Sequence, residues 1–176
     1  MDAVTATWPE PVERVAAYLR AAGAEARLEE LPQTAHSAAE AAEAVGCSLE
    51  QIVKSLVVLC DGRPVLVLVP GDRRADVEKV RSAVGAGTAR AARPAEVEQA
   101  TGFAPGAVAP FAHGVPRVLL ERTLLAQPTV WVGGGSPMHL VQLASVELAR
   151  LARAEPMDVV EEPAYHSQPD TDGKEP

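Results

Sequence analysis

The stretch that decides the fold is "VVLCDGRPVLVLV", residues 57–69, in which two apolar runs flank Asp61 and Gly62. An Asp-Gly pair between such runs is among the strongest short signals for a two-residue β-hairpin, because both turn positions favour a positive φ. The runs are rich in valine and leucine, as strands are when both faces of a sheet are covered. We therefore predict an antiparallel hairpin at the centre of the core.

The strand that enters this hairpin carries a lysine at its start. In "LEQIVKSLVVLC", residues 49–60, Lys54 lies at the mouth of the apolar run. Strand alternation puts Lys54 on one face with Leu56, Val58 and Cys60, and we expect that face to be buried. The structural alternative is a lysine whose head reaches water or protects a sheet edge.

Two helices and a weak strand are predicted before the lysine. "TWPE" has the form of a capping box made by Thr7 and Glu10. The apolar stripe of the helix that follows comprises Val12, Val15, Ala16 and Leu19, and Gly23 ends it. "AEARLEEL", residues 24–31, alternates as an edge strand does. A second helix is predicted between Ser37 and Gly46, and a short turn is predicted to open with Ser48 and Gln51.

Helices and strands alternate after the hairpin. "ADVEKVRSAVG" (75–85) and "RPAEVEQATG" (93–102) have helical signals, whereas "RVLLE" (117–121) and "TVWVGGG" (129–135) have the composition of strands. "LASVELARLARA" (143–154) is predicted as a closing helix whose face carries Leu143, Val146, Leu148 and Leu151.

These elements predict an α/β domain with a mixed, curled sheet. A chain of 176 residues is long enough for one domain with a real core. We place the domain at residues 1–156. Residues 157–176 are acidic and interrupted by prolines, and we expect them to be a disordered tail.

The composition excludes several classes of protein. No apolar run approaches the roughly 18 residues of a membrane span, and no basic leader opens the sequence, so we expect a cytoplasmic protein without a membrane partner. Cys47 and Cys60 form neither a CxxC motif nor a zinc-ligand pattern, which favours buried, reduced thiols. No cofactor or metal is expected.

The formal net charge of −8 hides a mildly basic centre. Residues 52–122 hold ten basic and seven acidic side chains, whereas residues 1–51 hold three basic and nine acidic ones. We expect a basic rim around the functional site, although ordinary solvated charge would give the same count. Its members would be Lys54, Arg73, Arg74, Lys79, Arg81, Arg90, Arg93, Arg117 and Arg122.

Two loops could carry chemistry. In "VWVGGGSP", residues 130–137, three glycines follow a strand and let a ligand approach the backbone N–H groups, although a tight turn would also use them. "TGFAPGAVAPFAHG", residues 101–114, could form the wall of a pocket or be a simple loop. The four histidines show no metal or triad spacing, and none is assigned a catalytic role.

The order of these segments resembles the YbaK-like family of aminoacyl-tRNA deacylases, free-standing relatives of the prolyl-tRNA synthetase editing domain. The resemblance covers roughly residues 10–155 and rests on "LEQIVKSLVVL", "ATGFAPGAVAPFAHG" and "VWVGGGSP" in that order. It implies a mixed, barrel-like sheet flanked by helices. It also implies hydrolysis of the ester between a wrongly attached amino acid and the terminal adenosine of tRNA.

The resemblance assigns roles to residues of the three motifs. It implies that Lys54, Gly106 and Gly134 are catalytic. The glycines would either donate N–H hydrogen bonds to the reacting ester or line the pocket where a Cβ would be too close to it. The implied substrate-binding residues are Ser55, Gly102, Phe103, Gly133, Gly135, Ser136 and Pro137. A lysine at the lip of an apolar pocket would engage the oxygen-rich end of the substrate, and exclusion of water would strengthen that contact.

The expected activity is therefore trans-editing of a small amino acid from a proline-type tRNA. Because "SPMHL" is apolar where some members place charges, seryl and threonyl substrates stay open beside alanyl and cysteinyl ones. The expected partner is the acceptor end of aminoacyl-tRNA, an aminoacyl-tRNA synthetase is a candidate second partner, and the protein is expected to be a monomer or weak dimer. The alternative is a non-catalytic tRNA-, nucleotide- or protein-binding module on the same fold.

Overall fold

The predicted hairpin forms at the centre of the molecule in a computed structural model that describes residues 7–163. Its strands are β2 (Val53–Cys60) and β3 (Arg63–Pro70), paired antiparallel with Cys60 opposite Arg63. Asp61 and Gly62 have φ values of 48° and 76°, as a two-residue turn with positive φ at both positions requires.

The remaining elements surround this hairpin. The helices are α1 (Glu10–Ala21), α2 (Ala38–Val45), α3 (Val77–Val84), α4 (Pro94–Thr101) and α5 (Ser145–Ala152). The other strands are β1 (Ala26–Glu30), β4 (Ala89–Ala91), β5 (Val118–Glu121), β6 (Thr129–Gly133), β7 (His139–Ala144) and β8 (Glu155–Met157). Short 3₁₀ turns span Leu49–Gln51 and Arg122–Ala126.

The strands form two sheets. One has the order β4-β2-β3-β5-β8, with β5 parallel to both of its neighbours, and the other is an antiparallel sheet of order β1-β7-β6. A bridge between Ile52 and Trp131 joins them. The predicted mixed α/β fold is confirmed, but the sheets do not close, so barrel-like describes the architecture only loosely.

The long apolar run of β3 has partners on both faces. Leu66 and Leu68 pack into a core between the two sheets, whereas Val65, Val67 and Val69 pack on the opposite side, under α3. Burial on both faces explains why this strand is continuously apolar rather than alternating.

The face that carries Lys54 is buried only in part, contrary to the expectation. Val58 and Cys60 are buried in the cluster under α3, but Leu56 is 37% exposed and Lys54 is half-buried. Other residues pack on this face only along the second half of β2. The first residues of the strand therefore lie beside open space. Both cysteines are free thiols, with Cys60 buried and Cys47 half-buried.

Capping hydrogen bonds and backbone conformation determine where the helices begin and end. Ser37 accepts a hydrogen bond from the Glu40 N–H at the start of α2, and Gly46 ends that helix in the left-handed region, as predicted. The first helix differs from the prediction, because α1 begins at Glu10 with Pro9 as its N-cap instead of Thr7. Its predicted apolar stripe is buried.

The sequence did not predict β4 or β7. β4 is only three residues long, and the last two residues of β7, Leu143 and Ala144, were assigned to the closing helix. The residues of β7 alternate between buried and half-buried, which is the signature of a strand. The closing helix therefore starts at Ser145, and Val146 is 68% exposed rather than part of its packed face.

Packing continues beyond residue 156, where the domain was expected to end. β8 runs to Met157, Val159 and Val160 are buried, and the N–H of Glu161 donates to the carbonyl of Arg74. The described start of the expected tail is thus packed, and residues 164–176 lie outside the described residues. Within residues 7–163 no helix has the length and apolar character to cross a membrane.

Candidate functional site

Two adjoining cavities, of about 420 and 460 Å³, open where the cover of β2 ends. They share one wall, built from the first residues of β2 and from the loop after α4. The residues of this shared wall are Lys54, Ser55, Leu56, Pro105, Gly106 and Val108. The strand and the loop that were singled out in the sequence therefore meet at one place.

The first cavity lies between this wall, α2 and the hairpin of β6 and β7. Gly133, Ser136 and Pro137 line it, together with His36 and Ser37 at the start of α2. The second cavity lies on the other side of the wall, where Val77 of α3, Ala91 of β4 and Val97 of α4 contribute apolar groups. Arg74 and Glu161 also line the second cavity.

Lys54 projects from the shared wall with its ammonium group fixed. The Nζ atom donates a hydrogen bond of 2.6 Å to the backbone carbonyl of Arg73. Burial lowers the pKa of Lys54, the positive charge of Arg74 lowers it further, and Asp72 partly opposes both effects. The lysine thus carries a poorly solvated charge whose hydrogen-bond partner is a neutral carbonyl.

Gly106 occupies a tight turn in the same wall. The N–H of Ala107 donates to the carbonyl of Ala104 at 3.0 Å, Pro105 is the second turn residue, and Gly106 follows with φ of 80°. This combination is a type II β-turn, which favours glycine at the third position. Among the described residues, the N–H of Gly106 has no hydrogen-bond partner, so it is available to a ligand.

The glycines after β6 have different roles. A Cβ at Gly133 would overlap the backbone carbonyl of Val108, so glycine there lets the loop of residues 101–114 lie against β6. The N–H of Gly134 donates to the carbonyl of His139 at 2.9 Å and is not available as an oxyanion donor. Gly135 has φ of 101° and lies against the carbonyl of Pro11. Neither Gly134 nor Gly135 lines either of these two cavities.

Two more expected binding residues lie outside the cavities. Phe103 is buried in the core between the sheets, and Gly102 is the left-handed C-cap of α4. Arg14 of α1 holds both, because its guanidinium donates to the Gly102 carbonyl at 2.7 Å and lies 4.3 Å from the centre of the Phe103 ring. Their position indicates that they support the loop rather than contact a ligand.

His139, to which the sequence assigned no catalytic role, lines the first cavity. Its Nδ1 lies 2.5 Å from the Ser136 hydroxyl oxygen, which accepts a hydrogen bond from the Met138 N–H. The hydroxyl and Nδ1 thus share one hydrogen bond, and the ring tautomer determines which of the two donates. Burial lowers the pKa of His139 and favours the neutral imidazole. Alternation along β7 was the signal that could have placed this side chain.

Four of the nine residues of the predicted basic rim form ion pairs with carboxylates of the domain itself. The ion pairs join Lys79 to Asp158 and Glu162, Arg81 to Glu78, Arg90 to Glu96 and Arg117 to Glu155. Of the nine basic residues expected there, only Lys54 and Arg74 line the two cavities. Among residues 7–163 no group of three or more His, Cys, Asp or Glu side chains is arranged to hold a metal ion.

Comparison with solved structures shows close relatives of the fold. A protein proposed to be a trans-editing enzyme for prolyl tRNA synthetase superposes with a TM-score of 0.83 at 38% identity, over 89% of this chain and all of that one. The hypothetical protein APE2540 superposes with a TM-score of 0.77 at 34% identity, over 84% of this chain and 99% of its own.

Sequence comparison gives the same family. The chain is 36% identical over 134 residues to a proline–tRNA ligase of Nitratidesulfovibrio vulgaris (strain DP4). The matched segment covers 75% of this chain and only 23% of the ligase. It is 37% identical over 116 residues to YwhH of Bacillus subtilis (strain 168), which covers 64% of this chain and 73% of YwhH. A sequence model of the aminoacyl-tRNA editing domain matches residues 32–151. The chain belongs to the aminoacyl-tRNA editing domain family.

Proposed function

We propose that this chain is a trans-editing hydrolase that removes a small, wrongly attached amino acid from the terminal adenosine of a proline-type tRNA. The observation that carries the proposal is the shared wall, where Lys54 and Gly106 lie together between two cavities. Family membership supports an editing role, and the prolyl-tRNA synthetase relation of a structural neighbour supports the choice of tRNA.

The proposed reaction is hydrolysis of an ester. Water attacks the ester carbonyl carbon, the bond to the ribose oxygen breaks, and that oxygen takes up a proton to leave free amino acid and tRNA. In our proposal the N–H of Gly106 donates to the oxygen that becomes negative, and Lys54 stabilises the same charge in a poorly hydrated site. A ribose hydroxyl of the substrate helps to position the water.

The expected site residues have different roles in the proposed reaction. Lys54 and Gly106 act on the ester, and Ser55, Gly133, Ser136 and Pro137 form the surroundings of the aminoacyl group. Gly134 supports the loop instead of donating to the substrate, because its N–H is already used. Translation takes place in the cytoplasm, and we place the protein there.

A panel of tRNAs charged with wrong amino acids tests the function directly. We expect release of alanine, cysteine, serine or threonine from proline tRNA above the rate in buffer, and no release of cognate proline. Absence of turnover on the whole panel would contradict the proposal. Retained binding of tRNA in that case would favour the non-catalytic binding module.

A further inference from the structure

A C-terminal strap, formed by residues 158–162 after β8, lies across the segment that joins β3 to α3. This joining segment comprises residues 71–76. It carries Arg73, whose backbone carbonyl accepts the hydrogen bond of Lys54 at 2.6 Å. The strap and the lysine of the proposed site therefore both contact the joining segment.

Hydrogen bonds fix the strap against the joining segment. The N–H of Glu161 donates to the carbonyl of Arg74 at 2.8 Å. The N–H of Asp76 donates to the carbonyl of Val159, also at 2.8 Å, and an antiparallel bridge lies between these two bonds. The guanidinium of Arg73 donates to the carbonyl of Glu161 at 2.7 Å. The residue that accepts from the catalytic lysine is thus bonded to the strap itself.

Other backbone bonds hold the two ends of the joining segment. The N–H of Gly71 donates to Ile52 and the N–H of Arg73 donates to Pro70, and both groups precede the Arg73 carbonyl. Helix α3 takes over at its N-cap, Asp76. Between these points the strap holds the segment, so the position of the Arg73 carbonyl depends on it.

Lys79 of α3 clamps the strap from the side of the helix. Its Nζ atom donates to both carboxylate oxygens of Asp158, at 3.0 and 3.1 Å, and to the carboxylate of Glu162 at 2.8 Å. It also donates to the backbone carbonyl of Val160 at 2.8 Å. The hydrogen bonds to Glu162 and Asp158 raise the pKa of Lys79, so the clamp stays charged.

The clamp acts where apolar packing of the strap ends. Val159 and Val160 are buried in the cluster under α3, and the N–H of Val159 bonds to the carboxylate of Glu121, which is 1% exposed. Glu161 and Glu162 are exposed, and polar contacts hold this end of the strap. The clamp therefore stabilises the part of the strap that bonds to Arg73.

We infer that Lys79 is a positioning residue of the proposed site, which acts through the strap to hold the Arg73 carbonyl and so the ammonium group of Lys54. Lys79 lines neither of the two cavities, so it does not act on the substrate directly. This inference rests on the proposed function for the role of Lys54. The strap also lies outside residues 32–151, so the site depends on more of the chain than the family match covers.

Two variants of the full chain break the clamp with opposite changes of charge. Lys79→Met removes a positive charge, whereas the double variant Asp158→Ala, Glu162→Ala removes negative charge. Arg81→Met is the matched control, because Arg81 lies on the same helix and forms its ion pair with Glu78. Lys79→Arg keeps the charge and the donors, and should behave as the wild type.

Two measurements test the inference without substrate. We expect hydrogen exchange at the Glu161 N–H to be about fivefold faster in both clamp variants, which shows that the strap has loosened. The second is the pH dependence of Lys54 labelling by acetic anhydride, located by mass spectrometry. Burial lowers the pKa of Lys54, so loosening should raise the labelling midpoint toward the usual value of about 10.4.

The opposite charge changes separate positioning from direct electrostatics. Charge alone would raise the labelling midpoint in Lys79→Met and lower it in the double variant, whereas a loosened strap raises it in both. On the mischarged tRNA panel we expect kcat to fall about tenfold in both clamp variants with KM little changed, because the lysine is displaced from the developing charge. Arg81→Met should keep the wild-type midpoint and kcat.

Each outcome separates the inference from the function on which it rests. Unchanged exchange at Glu161, an unchanged midpoint despite faster exchange, or opposite midpoint shifts in the two clamp variants would overturn the role of Lys79. Raised midpoints in both clamp variants without turnover by the wild type would overturn only the proposed deacylase. Wild-type turnover that both clamp variants keep in full would overturn only the inference.

Discussion

The ammonium nitrogen of Lys54, a residue of the wall shared by the two cavities, lies 2.6 Å from the backbone carbonyl oxygen of Arg73. This hydrogen bond fixes the position of the charge without neutralising it, because the acceptor is a carbonyl and not a carboxylate. A fixed charge in a poorly hydrated wall interacts strongly with any negative charge that develops nearby.

Replacement of Lys54 by methionine tests this role while keeping most of the apolar stem. We expect kcat/KM for deacylation to fall by about 10²-fold, which is typical for loss of one group that stabilises an oxyanion. Thermal unfolding of the variant provides the control for folding. Unchanged kcat/KM in a folded Lys54→Met protein would remove the lysine from the mechanism.

Gly106 and Gly62 form a matched pair for testing the proposed donor turn. Both have positive φ, of 80° and 76°, and a Cβ at either would meet no atom within 4 Å. Alanine should therefore cost about 1 kcal/mol of unfolding free energy at each position through backbone strain alone. We expect only Gly106→Ala to lower the deacylation rate, because relief of the strained φ at this position would redirect the N–H of the donor turn, whereas Gly62 lies in the hairpin turn. Equal rates for the two variants, measured at equal folded fraction, would argue against a role of Gly106.

Arg74 and Arg117 provide a comparison for the RNA contact. Arg74 lines the second cavity, whereas Arg117 forms an ion pair with Glu155. We expect Arg74→Glu to weaken tRNA binding and to reduce the slope of log affinity against log salt by about 0.7, the value of one contact to a single strand. Arg117→Glu should leave that slope unaltered. The affinities are measured from low to physiological salt, and a reduced slope in both variants would show a wider interface.

Two C-terminal deletions test where the domain ends. Removal of residues 164–176 should change the free energy of unfolding little, because their composition is polar and acidic. Removal of residues 157–176 also takes away the buried Val159 and Val160, and should cost about 3 kcal/mol or more. Urea unfolding of both proteins gives the comparison. Equal stability would mean that residues 157–163 contribute nothing to the fold.

His113, which is half-buried, and His139, which is buried, predict a loss of stability in acid. Burial lowers the pKa of both His113 and His139 below the usual 6.5, so the unfolded chain takes up their protons first as the pH falls. Their contribution to stability is thus present above pH 6.5 and is lost as the pH falls from that value through their lower pKa values in the folded protein. We expect a smaller difference in unfolding free energy between pH 7.5 and 5.5 when both are replaced by glutamine. The same difference as in the wild type would exclude the two histidines as its source.

The hairpin and most helices could be predicted because their signals are local. Asp61-Gly62 determines a turn, and Ser37 and Gly46 mark the two ends of α2 by hydrogen bonding and backbone conformation. β4 and β7 were missed because a three-residue strand carries little signal, and because Leu143 fits a helical pattern as well as a strand.

The site was predictable only in part. The motifs place Lys54 and Gly106 in the sequence, but the distance between them depends on how the loop after α4 packs on β6. That packing also decides which glycine N–H groups are already bonded, as in Gly134. The basic rim was predicted too large for a related reason, since regional charge counts cannot show that Arg117 forms an ion pair with Glu155.

The pairing of β1 with β7 has a practical consequence for anyone isolating this domain. The family match spans residues 32–151, so a fragment cut at those limits lacks α1, β1 and β8. β7 and β5 would each present a bare edge to other molecules, and exposed edges invite aggregation. The fragment would also lose Arg14, which holds the loop that carries Gly106. Expression and crystallisation should therefore start from residues 7–163.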